Sequence, residues 1–367
     1  MRMNMVSPPP TGLAGSSVVV TGGVGSVGRH IVRHLLAGGA RRVRILDNDE
    51  GALFEMEQEL RDDPRAEVYL CDVTDAREMR RTFAGMDYGF HLAALKHVPS
   101  CERSPFAALR TNIDGAEMVG RTAMEAGLKK VVFTSSDKAV NPTNVMGTSK
   151  LLGERLFTAM DALPGPGART VFASTRFGNV LGSSGSVLPL FCDQIARGGP
   201  VTLTDARMTR FVMTMDEAAG LVIESLGHAL GGEIFVTKMP VLRIADLARV
   251  MIRMLAPLHG YKPTEIELRE TGPRPGEKLY EELSTEEEAE RLCEAGDFLI
   301  VVPPGRATAP EAVDWPGLDA VPTRRVYHSS RETPLSEAGI EEMLLRPGVL
   351  PEDLRAGLAA PSRLAVA

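Results

Sequence analysis

Cysteine is scarce: Cys71, Cys101, Cys192 and Cys293 are the only four in 367 residues. They stand far apart, with no Cys-x-x-Cys and no cysteine–histidine cluster. Neither a zinc site nor a disulfide framework is indicated, so no metal is expected and the thiols read as buried and reduced, as in a cytoplasmic protein. No apolar run approaches the roughly 20 residues that a transmembrane helix needs. Residues 1–10 carry three prolines and no apolar core, so they read as neither signal peptide nor span. Direct membrane insertion is therefore not expected. Excess positive charge is missing as well. The balance of 41 basic against 48 acidic residues, net −7, argues against a nucleic-acid partner or an anionic membrane surface. There is no internal repeat and no low-complexity block. What remains is a chain long enough to bury a large core, as one big domain or two.

Short apolar runs alternate with helical patterns over the first half. Strands are read at 17–20, 42–46, 68–70, 88–92, 130–133 and 170–175. Helices are read at 27–37, 53–60, 76–84 and 104–126. This alternation predicts an α/β fold: a Rossmann-type, doubly wound parallel sheet. Past about 180 the pattern changes to short elements. Helices are expected at 215–229 and 243–256, and strands at 233–237 and 264–269. A Pro/Gly loop falls at 272–276, a surface-wandering stretch at 303–325 and a weakly helical tail at 341–354. The domain reading is a flexible leader over 1–15 and a dinucleotide-binding domain over 16–180, with later segments returning to it. A smaller C-terminal substrate-binding α/β region over 181–330 and a tail over 331–367 follow.

Between the first strand and first helix lies Gly22-x-x-Gly25-Ser26-Val27-Gly28. Glycines at this spacing permit a tight turn and a close approach of backbone to a pyrophosphate, and the helix N-terminus favours the phosphates. Asp47 ends the second strand, beside Asn48, where a carboxylate can accept from adenosine ribose hydroxyls and would repel a 2′-phosphate. NAD is therefore favoured over NADP, although Arg41, Arg42 and Arg44 precede the site. Asp72 and Val73 follow the third strand and are placed near the adenine, with a helix N-cap as the alternative role of Asp72. Leu92, Ala93 and Ala94 close the fourth strand with small residues that leave room for a cofactor backbone. Lys96 follows, in position to contact sugar or diphosphate.

The most informative stretch is 134–150. The strand ending at Phe133 runs into Ser135, Ser136, Asp137 and Lys138, and a second lysine, Lys150, stands twelve residues after Lys138 in a helical pattern. Ends of parallel strands are where open α/β sheets bind ligands. Ser135 or Ser136 is a candidate hydrogen-bond donor, Asp137 a proton donor and Lys138 a base.

These residues resemble the extended short-chain dehydrogenase/reductases. Four strings narrow the likeness to the nucleotide-sugar 4,6-dehydratases of bacterial glycan biosynthesis: 94–99 with Lys96 and His97, 136–144, 176–187 and 274–278. The likeness runs over about 17–300. It implies the substrate UDP-N-acetylglucosamine and a 4-keto-6-deoxy product. Asp137 would protonate the leaving C6 hydroxyl, Lys138 would take the C5 proton, and Lys150 would hold the nicotinamide ribose. The family usually carries Tyr-x-x-x-Lys where this chain has Met146-x-x-x-Lys150. A thioether accepts no proton at neutral pH, so the C4 hydroxyl proton must go elsewhere: to Asp137, Lys138, Lys150 or a water.

By the same likeness, Asn179 contacts the diphosphate region. Val187, Leu188, Thr202 and Thr204 fall in the stretches that form the uracil and ribose pocket. Arg210 and Arg274 are candidates for the two phosphates, because guanidinium forks match phosphate oxygens, and Glu277 for the ribose hydroxyls. The alternatives are a GDP-linked sugar, a UDP-sugar 4-epimerase, and a catalytically silent dinucleotide-binding sensor. The helices around 104–126 and 150–160 suggest a homo-oligomer.

Overall fold

Six of the expected strands form in the structure, a computed structural model that describes residues 12–163, 169–273, 276–306 and 313–359. They are β1 (Ser17–Thr21), β2 (Arg42–Asp47), β3 (Ala66–Leu70), β4 (Tyr88–His91), β5 (Lys130–Thr134) and β6 (Val171–Arg176). All six are parallel, in the order β3-β2-β1-β4-β5-β6. Strand Ile234–Thr237 continues the sheet parallel to β6. Phe298–Val301, Leu292–Ala295 and Ala320–Thr323 then extend it antiparallel.

Side chains alternate across this sheet as period-2 geometry requires. Val18, Val20, Val43, Ile45 and Val132 pack on one face with Ile31, Val32 and Leu35 of the helix Ser26–Ala37. Val19, Leu46, Val131 and Phe133 pack on the other with Phe83, Phe157 and Phe172. Each such buried side chain contributes roughly 1.5–3 kcal/mol. Both faces are covered, so the strands read as continuous apolar runs. Strand order reverses between β1 and β4, which opens a crevice at their C-terminal ends.

Among the described residues the chain forms two compact units. The first takes the residues up to Phe177, Asp216–Lys238 and Glu282–Tyr327. The second takes Gly178–Met215, Met239–Glu281 and the residues from His328 on. Thus 216–238 and 282–327, which the sequence reading places in the C-terminal region, lie in the unit that holds the large sheet. The second unit has a three-stranded sheet of Val241–Arg243, Thr209–Met213 and Asn179–Val180, and a parallel pair, Val201–Leu203 with Leu268–Glu270. Its core joins Leu188, Phe191 and Ile195 to Leu247, Met251 and Leu255 and to Ile340 and Leu344.

Several expectations are corrected. The helix read over 104–126 forms as an unbroken helical run over 105–126, but with a π-helical turn inside it and a short separate helix before it. Val98–Arg103 and Pro105–Leu109 precede a π-helical turn, Arg110–Asp114, and then Gly115–Ala126. Pro105 opens the long run and cannot continue Val98–Arg103, which separates the two. The hairpin Leu292–Ala295 with Phe298–Val301 was not read as strands, and Ala320–Thr323 is an edge strand within the stretch read as wandering. The tail is two helices, Glu337–Leu344 and Glu352–Ala359. Most of the leader, residues 1–11, lies outside the described residues. No helix among the described residues is long and apolar enough to cross a membrane.

Candidate active site

The glycine turn is built by contact. Gly22 has φ +71, and a Cβ there would lie 2.5 Å from the Ala93 backbone N. A Cβ on Gly28 would lie 2.3 Å from the Gly22 carbonyl oxygen. Gly25, the N-cap of the helix Ser26–Ala37, meets only the Gly22 oxygen, at 3.2 Å, and no side chain caps that helix. So Gly22 and Gly28 are required by packing, the first against the segment that follows β4. Gly25 keeps the helix end approachable, where backbone N–H groups favour an anion. Val27 is half-buried against the core of that face.

Asp47 accepts from the backbone N–H groups of Val24 (3.3 Å), Asn48 (2.9 Å) and Asp49 (3.3 Å). Burial raises its pKa above the usual carboxylate value, opposed by these N–H groups. The carboxylate is thereby fixed at the lip of the glycine turn. Asp72 is exposed and accepts from the Thr74 N–H (2.9 Å) and hydroxyl (2.8 Å). The N-cap of the next helix is Asp75, not Asp72. Val73 is buried.

Strand β5 delivers the second part. Ser135 N donates to Thr175 O (2.7 Å) and Asp137 N to Phe177 O (3.0 Å). A short 3-10 turn, Asp137–Ala139, follows, with Ser136 at its N-cap. Asp137 is wholly buried. Its Oδ1 accepts from Ser136 Oγ (2.9 Å) and Lys138 Nζ (2.9 Å). Its Oδ2, and Ser135 Oγ two residues earlier, are buried with no partner among the described residues. Buried polar atoms are nearly always paired, so these mark a place for an outside donor or acceptor. The helix Val145–Asp161, capped by Asn144, packs onto this turn. Gly147 makes that possible, since a Cβ there would lie 2.2 Å from Lys138 O.

On the same helix Lys150 is buried, donates to Thr134 O (2.8 Å) and lies 4.7 Å above the Phe133 ring. Burial lowers its pKa to about 8, against the opposing pull of Glu154. Met146 does not stand in for a proton acceptor. It is buried in an apolar cluster with Cys101 and Ala108.

Two residues here escaped the sequence reading. Asn112, in the π-helical turn, is buried; it accepts from Leu95 N (2.8 Å) and donates to Leu95 O (3.1 Å) and Ser149 Oγ (2.8 Å). It ties the segment after β4 to the helix of Lys150. An asparagine inside an otherwise apolar helical pattern is the signal that could have found it. His91 ends β4 with Nδ1 2.7 Å from Thr21 Oγ1, and its Nε2 has no partner among the described residues. Burial, helped by the charge of Lys150, lowers its pKa to about 3. It is a neutral ring set against Phe133 and Phe157. Lys96 and His97 are exposed on the segment after β4, with His97 at the N-cap of Val98–Arg103.

The remaining candidates lie in the second unit. Asn179 is half-buried at the start of its strand. Val187 opens a helix, and Leu188 next to it points into the core, 1% exposed, so it offers no surface to a base. Thr202 is held by Gln194, which accepts from its N–H (3.0 Å) and donates to its hydroxyl (2.7 Å). Thr204 donates to Met208 Sδ (3.0 Å). Arg210 is 5% exposed and donates to the carbonyls of Thr209 (2.8 Å), Lys278 (2.8 Å) and Leu279 (3.2 Å). Glu281 and Glu277 stand 3.7 and 3.8 Å from its guanidinium. Its fork fastens the 277–281 segment from inside. Arg274 lies outside the described residues. Among the described residues no cluster of His, Cys, Asp or Glu could hold a metal.

A family model described as "Polysaccharide biosynthesis protein" matches residues 18–303. The chain is 49% identical over 289 residues to the uncharacterized membrane protein MJ1061 of Methanocaldococcus jannaschii, covering 79% of this chain and 86% of that one. It is 35% identical over 343 residues to a UDP-glucose 4-epimerase of Rickettsia conorii, covering 92% and 98%. Among solved structures, Pen from Bacillus thuringiensis matches with a TM-score of 0.83 at 37% identity, covering 91% of this chain and 98% of that one. A glycine turn at the strand-order switch, an acid–amine pair at the end of β5 and a buried lysine one helix later agree with that likeness, and the chain belongs to the polysaccharide biosynthesis protein family, among the nucleotide-sugar-modifying short-chain dehydrogenases/reductases.

Proposed function

We propose that this chain is an NAD-dependent 4,6-dehydratase that converts UDP-N-acetylglucosamine to a UDP-4-keto-6-deoxy-N-acetylhexosamine for a surface glycan. The observation that carries this reading is the Ser136-Asp137-Lys138 turn. A wholly buried carboxyl there holds an amine at 2.9 Å on one oxygen and leaves the other without a partner among the described residues. NAD fits the cradle: the helix end at Gly25 takes the pyrophosphate, Asp47 the adenosine ribose, and Lys150 the nicotinamide ribose. When bound, it supplies the oxidation at C4 and the return of hydride at C6.

The chain's own groups move the protons. Lys138 removes the proton at C5, which the 4-ketone has acidified. Asp137 gives its proton to the departing C6 hydroxyl, and water leaves. The pair is then ammonium and carboxylate; Lys138 returns its proton to C5 as C6 is reduced, which leaves a neutral amine and a carboxylate ready for the C4 hydroxyl proton of the next cycle. With Met146 sealed in an apolar cluster, the C4 hydroxyl proton also goes to this pair. Two protons are released, at O4 and C5, and two are taken up, at the leaving hydroxyl and at C5, so the cycle balances. Asn179, Val187, Thr202, Thr204, Glu277 and Arg274 are assigned to the nucleotide, with Lys96 and His97 at the sugar end. Arg210 acts by holding the segment that carries Glu277.

The second reading is a 4-epimerase, favoured by the similarity to the Rickettsia conorii relative named as one. It needs no acid–base pair for C5 and C6. Proton NMR of the protein with UDP-N-acetylglucosamine in deuterated water separates the two. A new C6 methyl signal with deuterium at C5 is expected. A galacto-configured product with C6 untouched would replace this reading by the epimerase.

A further inference from the structure

Among the described residues Asn141 is the only one besides glycine with a positive φ, +43. Two things make that conformation costly. A residue with a Cβ is crowded in the left-handed region, although asparagine tolerates it better than most. Pro142 follows, and a residue before proline is pushed towards extended backbone. Strain of this kind persists only where the surroundings hold it, and it gathers at working sites.

The surroundings here are specific. Asn141 Nδ2 donates to Glu282 Oε2 (3.0 Å). Leu283, the next residue, is pinned. Its carbonyl accepts from Nη1 of the wholly buried Arg176 (2.7 Å), and its N–H donates to Tyr327 O (3.0 Å). The carboxylate that holds Asn141 therefore comes from a fixed piece of backbone in the same unit. On the other side of Asn141 stands the acid–amine turn. Ala139 N donates to Ser136 O (3.0 Å) and Val140 N to Asp137 O (3.1 Å), and Asn141 comes next. There the chain reverses, and residues 138–147 close on themselves. A Cβ on Gly147 would lie 2.2 Å from Lys138 O and 3.2 Å from Pro142 Cβ. The Lys138 carbonyl and the proline ring thus rest against the same bare glycine. Extended backbone at Asn141 would carry Pro142 away from Gly147 and free Lys138 to move.

We propose that Asn141 is a positioning residue for Lys138: clamped by Glu282 in a left-handed conformation, it folds the loop back onto Gly147 and so keeps Lys138 Nζ on Asp137 Oδ1. What Lys138 is held for rests on its reading as the base at C5. The test needs neither cofactor nor substrate, so the two can fail separately.

The probe is acetic anhydride at a fixed pH, with acetylation rates of single lysines in the full chain followed by mass spectrometry. Asn141→Asp sets one carboxylate against another. It should raise the Lys138 rate about tenfold, the order of a lost hydrogen bond to a charged acceptor. Glu282→Gln alone should stay near wild type, because the amide oxygen still accepts. Asn141→Asp combined with Glu282→Gln exchanges donor and acceptor, and should bring the rate back near wild type. Lys129, exposed just before β5, and the buried Lys150 should react as in wild type throughout. Folding is verified by circular dichroism, and if Asn141→Asp does not fold, Glu282→Ala is read in the same way. A folded Asn141→Asp variant with the wild-type Lys138 rate overturns the proposal. So does a double variant as fast as the single one, or a rise at Lys150 equal to that at Lys138.

Discussion

The two units treat their candidate ligand-binding groups in opposite ways. In the first, Asp137 is buried with one oxygen engaged and the other without a partner among the described residues. In the second, Arg210 is buried with its fork occupied by three backbone carbonyls. The sequence nominates both, Asp137 within a string that looks functional and Arg210 by its guanidinium fork. One retains hydrogen-bonding capacity for something outside the chain; the other has spent it on the chain. A residue's type and string therefore nominate it for a site, and the account of its hydrogen bonds decides whether it is available.

The sharpest way to break this contrast is Asp137→Asn. Turnover in the NMR assay should fall about 10³-fold, the order of a lost general acid, with the fold kept. Arg210→Ala should do the reverse. It should destabilise the protein by about 3 kcal/mol in urea unfolding, because three buried carbonyls lose their donor. If instead it unfolds normally but loses nucleotide affinity alone, Arg210 is a phosphate ligand after all and the contrast fails.

His91 gives a pH test of the first unit. Its folded pKa, about 3, is below its ordinary value of 6.5. The unfolded chain then binds more protons between those values, so stability is full above pH 6.5 and is lost as pH falls towards 3. The loss amounts to about 5 kcal/mol at most. His91→Gln should flatten that part of the stability profile. A profile with the same slope in the variant would show that His91 is not buried neutral.

Gly28→Ala is smaller. Its Cβ would meet the Gly22 oxygen at 2.3 Å, so the glycine turn must shift. A cost of about 1–3 kcal/mol is expected, with a matching loss of NAD affinity by titration calorimetry. Met146→Leu should do least. Because Met146 packs with Cys101 and Ala108, turnover should stay within about threefold and stability within about 1.5 kcal/mol. A large loss of turnover would return Met146 to the chemistry.

Much of the first unit was legible. The glycine spacing after Val20, the apolar runs of β1 to β6 and the Asp137-Lys138 pair are local features, and local features survive into the fold because a strand end or helix start depends on a few adjacent residues. The π-helical turn inside the 104–126 helix was less legible. Pro105 announces where that helix starts, but Asn112 within the π-helical turn bonds Leu95 and Ser149, partners that no spacing along the chain reveals. The hairpin Leu292–Ala295 with Phe298–Val301 was missed for a similar reason. Its place is set by pairing with Ile234–Thr237, far back in the chain.

Sequence alone determined the parallel α/β sheet, the position of the dinucleotide turn and the presence of an acid, an amine and a second lysine after β5. Periodicity and turn chemistry act over a few residues and are written there directly. Tertiary structure decided which of these groups are open and which are occupied. It put Met146 in an apolar cluster, spent Arg210 on carbonyls, left Asp137 Oδ2 without a partner among the described residues, and brought Glu282 to Asn141 beside the acid–amine turn. Burial and pairing between residues distant in the chain set charge and hydrogen-bonding capacity, and those exist only once the chain has folded.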